Sequence, residues 1–379
     1  MLAIGVGLMA RTEAQVSYNF SSLVQCRWAA RAGINRALVQ IEKLKEQPTT
    51  YLGEGGMTLS SQQDDIDLGG ASFTVVIEDE AGKINLNAAE QSALEILFGS
   101  RDAADSIIDW RDTDDQPQPL GAETQYYSGL QEPYRCKNKP FDTVLELQLV
   151  KEVTEEMLSS PISQEGKTLT DLLTVYSHDE NTSVNGEERI NIQTATKEQL
   201  TQKFSGELTE RNIDAIIKQR GRRSFGKAAE VIRVRDLGRE KVAAIYDKIT
   251  VAQGSSSPVN EGGTPPNGES SSNAMPGLVN VNTARAEALA ALPGMDEGIA
   301  QEIITYRQSN GGFEDVGKIL NVAGVTENAF ARAADYMTVR SHVFKITATG
   351  RLEQSQVAYT VVCIVDASGD EVQTKYWRE

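Results

Sequence analysis

From Glu13 to about Leu44 apolar residues recur three or four apart, and no proline interrupts them. Val16, Phe20, Leu23, Val24, Trp28, Ile34, Leu38 and Ile41 mark one stripe, with Arg11, Arg27, Arg31, Arg36 and Lys43 lying off it. The pattern predicts one long helix, apolar at first and amphipathic later. Its start, Met1–Met9 (MLAIGVGLM), is nine apolar residues, whereas crossing a bilayer takes about 20. It also lacks the charged start and small-residue cleavage site of a secretory signal. The segment reads as the trailing end of a longer hydrophobic helix.

Beyond it the periodicity changes. Gln47–Asp67 is polar and reads as loop with one short strand at Met57–Leu59. Ala71–Glu78 (ASFTVVIE) is β-branched and aromatic behind Gly69–Gly70, a strand signal; Asp79–Lys83 turns, and Ile84–Leu86 continues the pairing. Between residues 89 and 250 short helical pieces alternate with turns. Residues 253–277, rich in Gly, Ser, Pro and Asn, read as a flexible linker. A helical segment then runs to about residue 338, followed by three strands at Val343–Thr349, Val357–Val365 and Glu371–Trp377. The fold class is α+β.

A repeat runs through the helical part. Lys83–Ala89 is KINLNAA, Arg189–Thr196 is RINIQTAT and Leu278–Arg285 is LVNVNTAR. Each holds an apolar–Asn–apolar–amide core before small residues. Asn87 and Asn282 stand where a helix N-cap is expected; Gln193, a poorer cap, leaves that role to Thr194 in the second copy.

Charge narrows the function. With 37 Lys+Arg against 54 Asp+Glu the formal net charge is −17, the wrong sign for displacing counterions from nucleic acid. Cys26, Cys136 and Cys363 form no CxxC pair, so they point to no zinc or redox motif; a Cys136–Cys363 bridge and three buried thiols both fit. The two histidines, His178 and His342, sit in a polar loop and at a strand start and read as structural. No HExxH, G-x-S-x-G or phosphate-cradling glycine loop is present, and catalysis is not expected.

Residues 278–339 resemble a tandem helix-hairpin-helix domain of the kind found in competence DNA receptors. Such hairpins use a Gly–apolar–Gly core to lay bare amides on a phosphate, commonly beside a lysine. Here Pro293–Gly294–Met295–Asp296–Glu297 and Gly324–Val325–Thr326–Glu327 replace the second glycine and add acids, and Ile299 and Ala329 stand where the base would be. Carboxylates repel a phosphate, so a DNA-incompetent scaffold is expected. A membrane-anchored, competence or type IV pilus-associated DNA-binding protein is the alternative.

The densest chemistry lies in Ile107–Tyr127 (IIDWRDTDDQPQPLGAETQYY). Asp109, Asp112, Asp114, Asp115 and Glu123 fall within fifteen residues beside one base, Arg111. Asp112, Asp114 and Glu123 occupy places one, three and twelve of a twelve-residue loop, the spacing of an EF-hand, although Gln116 and Pro117 break that pattern. Such carboxylate density suits a hard cation.

The run from Ile108 to Leu149 resembles the signature of type II secretion protein K, the largest minor pseudopilin: tryptophan, spaced aspartates, GAE, paired tyrosines, YRxKNxPF and a leucine-rich helix in order. LAIGVGLMARTEAQVSYN and ARAGINRAL resemble its membrane helix and continuation. The resemblance implies a pilin-like fold, with a long N-terminal helix and small antiparallel sheet, carrying a large inserted domain of SAM-like, helix-hairpin-helix-like units. It divides the chain into a helix (1–44), the first part of the sheet (45–88), helical subdomains at 89–176, 177–252 and 278–340, the linker (253–277) and closing strands (341–379). It implies Ca2+ held by Asp112, Asp114 and Glu123, with Asp109 or Asp115 as extras. It also implies a tip capping the pseudopilus and helping initiate its assembly with two other minor pseudopilins, facing the outer-membrane secretin or secreted cargo. The chain would be anchored once in the inner membrane with its globular part in the periplasm, and no nucleic-acid partner is expected.

Overall fold

The computed structural model describes residues 2–51, 62–162, 166–251, 275–353 and 357–379. The strand expected at Met57–Leu59 and residues 253–274 of the expected linker lie outside them. The end of that linker is structured: Met275–Pro276 pairs antiparallel with His178–Asp179. Two compact units result, one from Met1–Gln47, Tyr51–Asp79 and His342–Glu379, the other from Pro48–Thr50 and Glu80–Ser341.

The first unit is pilin-like. Helix α1 (Leu2–Leu44) has 43 residues, about 65 Å at 1.5 Å per residue. A five-stranded antiparallel sheet follows in the order β1 (Gln62–Asp67), β2 (Ala71–Asp79), β3 (Val343–Leu352), β4 (Ala358–Asp366) and β5 (Gln373–Arg378). Its core joins Ala29, Ala30, Ile34, Ala37 and Ile41 of α1 to Phe73, Val75, Ile77, Ile346, Ala348, Val361 and Cys363. The buried line on α1 is therefore built largely from small residues. Close approach demands them: a Cβ on Gly350 would stand 2.0 Å from the Cys26 carbonyl oxygen, and one on Gly33 would stand 2.8 Å from Val75. The predicted stripe divides. Ile34 and Ile41 enter the core, while Val16, Phe20, Leu23, Val24 and Trp28 are 36–68 % exposed. Arg27 and Arg31 both donate to the Glu379 carboxylate (2.8 and 2.7 Å). Strand β1 (QQDDID) escaped the sequence reading because it lacks apolar alternation. As an edge strand it is acidic and irregular between Gln63 and Ile66, features that discourage edge pairing.

The second unit contains three copies of one design around a single core. Each copy opens on a two-residue strand that pairs in parallel with a strand closing the same copy. Ile84–Asn85 meets Leu173–Thr174, Ile190–Asn191 meets Ile249–Thr250, and Val279–Asn280 meets Met337–Thr338. Ile84 thus pairs inside the helical unit rather than continuing the pilin sheet.

The amides of the repeat have a different task from the expected caps. Oδ1 of Asn85, Asn191 and Asn280 accepts the N–H two residues on (2.8, 2.8 and 2.9 Å). The second amide then holds a distant phenylalanine. Phe141 N–H donates to Asn87 (2.7 Å), Phe225 N–H to Gln193 (2.9 Å) and Phe313 N–H to Asn282 (2.7 Å). Asn87 and Asn282 donate back to the carbonyl of the same phenylalanine, each at 3.0 Å. An arginine completes each clamp: Arg111 on Leu86 and Ala89, Arg220 on Ile192, and Arg307 on Val281 and Ala284. The following helices are led instead by Glu90, Thr196 and Arg285. Gln193 serves where a cap would exclude it, because it reaches a backbone N–H across the copy rather than its own helix.

Candidate metal centre

The first copy differs by what lies between its clamp arginine and clamp phenylalanine. Helices α2 (Gln91–Phe98) and α3 (Arg101–Arg111) pack together, and Ser100 starts α3 by accepting the Ala103 N–H at 3.2 Å. Asp105 and Asp109 are one turn apart on α3 and both fully buried. Asp105 is satisfied by Gln91 and by the Leu120 N–H at 3.2 Å. Asp109 accepts the Gln118 N–H at 3.0 Å. The loop returns so closely that a Cβ on Gly121 would stand 1.9 Å from Asp109 Oδ2; only glycine fits there.

Asp112 follows the last turn of α3, and Glu123 opens helix α4 (Thr124–Ser128). Oxygen atoms of Asp109, Asp112 and Glu123 lie within 4.8 Å of one another. Both Glu123 oxygens and Asp112 Oδ1 are buried without a hydrogen-bond partner, and Glu123 is only 4 % exposed. Leaving buried acceptors bare is costly. Burial first, then neighbouring carboxylates, pushes Asp112 up to about 6 and Glu123 up to about 7, and raises Asp109. Arg111 opposes the rise at Asp112 through its charge, but its guanidinium hydrogen bonds go to the Leu86 and Ala89 carbonyls.

Of the residues singled out in the sequence, Asp109, Asp112 and Glu123 come together. Asp114 and Asp115 are exposed. Asp114 Oδ1 accepts the Gln116 N–H at 2.8 Å, and Asp115 Oδ1 accepts the Thr124 N–H at 3.4 Å. The arrangement is not an EF-hand wrap, since a helical side chain, Asp109, closes the cluster. Asn138 was missed. It sits at φ 46°, donates Nδ2 to the Asp114 carbonyl and leaves Oδ1 buried without a partner. Its only sequence signal was its place in the YRxKNxPF run. Around the cluster, Trp110, Tyr127 and Tyr134 stack edge-on or tilted at 5.2–6.3 Å. All three cysteines are free and buried, with Cys136 Sγ 3.7 Å from the Asp109 carbonyl. Three converging carboxylates, two of them with orphaned oxygens, fit a hard cation, whose preferred ligands are oxygens.

The hairpins of the third copy have their own geometry. Gly294 (φ 83°) and Gly324 (φ 82°) each stand two residues before a capped helix. Asp296 accepts the Ile299 N–H at 2.8 Å, and Thr326 accepts the Ala329 N–H at 3.1 Å. One amide at each hairpin, that of Ile299 or Ala329, is thus taken by its own cap side chain.

Residues 82–160, which contain the cluster, match the family model of type II secretion system (T2SS) protein K. Residues 277–338 match the helix-hairpin-helix motif. The fold is similar to a solved chain of the GspK-GspI-GspJ complex of the type 2 secretion system of enterotoxigenic Escherichia coli. That likeness covers 97 % of this chain and 98 % of that one, with TM-score 0.52 and 14 % identity. Over 63 residues the chain is 38 % identical to ComE operon protein 1 of Bacillus subtilis, covering 17 % of this chain and 31 % of that protein. Over 61 residues it is 38 % identical to transcriptional accessory protein Tex of Neisseria gonorrhoeae, covering 16 % and 8 %. The chain thus spans under a third of the curated relatives it matches. No helix among the described residues is long and apolar enough to cross a membrane.

Proposed function

We propose that this chain is a minor pseudopilin of a type II secretion system, capping the pseudopilus tip and helping initiate assembly with other minor pseudopilins. The observation that carries this is the exposed face of α1. Val16, Phe20, Leu23, Val24 and Trp28 stand bare beside a helix–sheet core already filled by small residues. Apolar surface of that extent on one helix face calls for cover, which the helices of like subunits would supply. The protein K match and the pilin-like fold support the reading. In this reading the helical unit would stop further subunits from being added. Secretin or cargo contact, and an inner-membrane anchor with the globular part in the periplasm, belong to the same proposal.

Within this reading Asp109, Asp112 and Glu123 hold calcium, which would supply positive charge to the three Asp112 and Glu123 oxygens left without a hydrogen-bond partner. Asp114 and Asp115 would lie outside that set.

Co-expression with candidate minor pseudopilins tests the proposal. Co-purification of a heterotrimer is expected, lost in Phe20→Asp and Trp28→Asp variants. A wild-type chain that stays alone with every such partner would overturn it. The helix-hairpin-helix match favours a second reading, nucleic-acid binding, against which the acidic residues Asp296, Glu297 and Glu327 at the hairpins weigh. Salt-sensitive micromolar binding to duplex DNA would restore it.

A further inference from the structure

Twenty-nine residues (112–140) separate Arg111 from Phe141 in the first copy, where four (221–224) separate Arg220 from Phe225 and five (308–312) separate Arg307 from Phe313. In all three copies an arginine holds the backbone of the repeat and an amide side chain holds the phenylalanine N–H. Asn87, Gln193 and Asn282 hold the phenylalanine at 2.7–2.9 Å. Copies two and three therefore close this scaffold with a short turn and no carboxylate cluster. Every acid of the cluster except Asp109 lies in the extra segment. So do exposed Leu120 and Tyr126 (41 and 44 %). Lys151, outside the segment, ties it down by donating to the Leu120 and Gly121 carbonyls (3.0 and 3.1 Å) and lying 5.3 Å from the Tyr126 ring.

We infer that residues 112–140 are an insertion into a repeat that folds without them, so that the cation sets the conformation of this insertion and its exposed face rather than holding the helical unit together. The inference rests on the cation reading above. It makes the site a conformational device: a change in cation concentration would remodel one surface while the three clamps stay closed. A cation that stapled the whole unit would instead couple to the clamps of all three copies.

Hydrogen exchange on the full chain, metal-stripped and then calcium-loaded, separates these cases. Protection should rise roughly tenfold or more within 105–140, with 190–250 and 279–338 changing less than about twofold. A calcium-dependent rise across all three copies would overturn the inference. No calcium-dependent change anywhere, together with no binding in a dialysis measurement, would sink the cation reading itself. A second variant keeps the insertion claim exposed independently. Residues 112–140 are replaced by the Gly221–Ser224 turn, with Trp110→Gln because Gln219 stands at the matching place. It should keep cooperative unfolding and lose any calcium-induced shift. Should it fail to fold while exchange in the wild type stays confined to the insertion, calcium does not hold the unit but the segment is part of its core, and the insertion claim fails.

Discussion

The first and third copies of the helical unit share one clamp and treat polar groups in opposite ways. In the third copy Asn280 and Asn282, 0 and 2 % exposed, have their amides bonded to backbone or side-chain partners. In the first copy the clamp is equally closed, yet beside it Glu123 and Asp112 leave three buried oxygens bare. A scaffold that satisfies its amides so completely twice does not leave carboxylates bare for want of donors nearby. The difference supports the proposal that the first copy's acids serve a bound cation, whereas the third copy's amides serve the chain itself.

Breaking the clamp should give the largest effect. Asn282→Ala strands the Phe313 N–H and carbonyl in a buried place, and orphaned groups cost about 1–3 kcal/mol each. A loss of roughly 2–4 kcal/mol is expected in urea unfolding, with Asn87→Ala milder because Asn87 is only half-buried. Glu123→Gln should come next and act differently. At a calcium concentration of about 100 times Kd the wild type gains about 2.7 kcal/mol, and the variant should lose that gain in thermal melts while Asn282→Ala keeps it.

A smaller effect sharpens the contrast through pH. Folding raises the Asp112 and Glu123 carboxyls to about 6 and about 7, above ordinary values of about 4. The folded state therefore holds more protons between those limits, so metal-free stability present at pH 4 falls as pH rises through 6 and 7. Calcium-induced stabilisation should accordingly grow between pH 5 and 7.5, and a calcium shift that shrinks over that range would contradict the assignment. The smallest change is expected from Asp114→Asn. The side chain is exposed, and its bond to the Gln116 N–H survives the substitution. Stability should move by less than about 0.5 kcal/mol; a loss of calcium response as large as that of Glu123→Gln would return Asp114 to the ligand set.

Much of this was legible in the sequence, for identifiable reasons. The α1 periodicity, the β-branched run at Ala71–Glu78 and the closing strands are local signals, and each formed within a few residues of its expected bounds. The threefold repeat was also legible, because its residues recur. The work of its amides was not. Asn87 meets Phe141 and Asn282 meets Phe313, 54 and 31 positions away, whereas a cap is the local use such a residue suggests. In the acidic loop, spacing favoured Asp114 over Asp109. What reverses them is the return of the chain at Gly121 against Asp109, a tertiary fact with no periodic trace. On α1 the large residues drew attention, yet Ala29, Ala30, Gly33 and Ala37 face the sheet, since only small side chains let helix and strands approach.

Calorimetric titration of the metal-stripped full chain with calcium probes the orphaned carboxylates most directly. Saturable binding is expected, with protons released at pH 6 as Asp112 and Glu123 ionise, so that the heat depends on the buffer's own ionisation. Absence of saturable heat up to millimolar calcium, in buffers of low and high ionisation enthalpy alike, would mean that these buried oxygens wait for no hard cation.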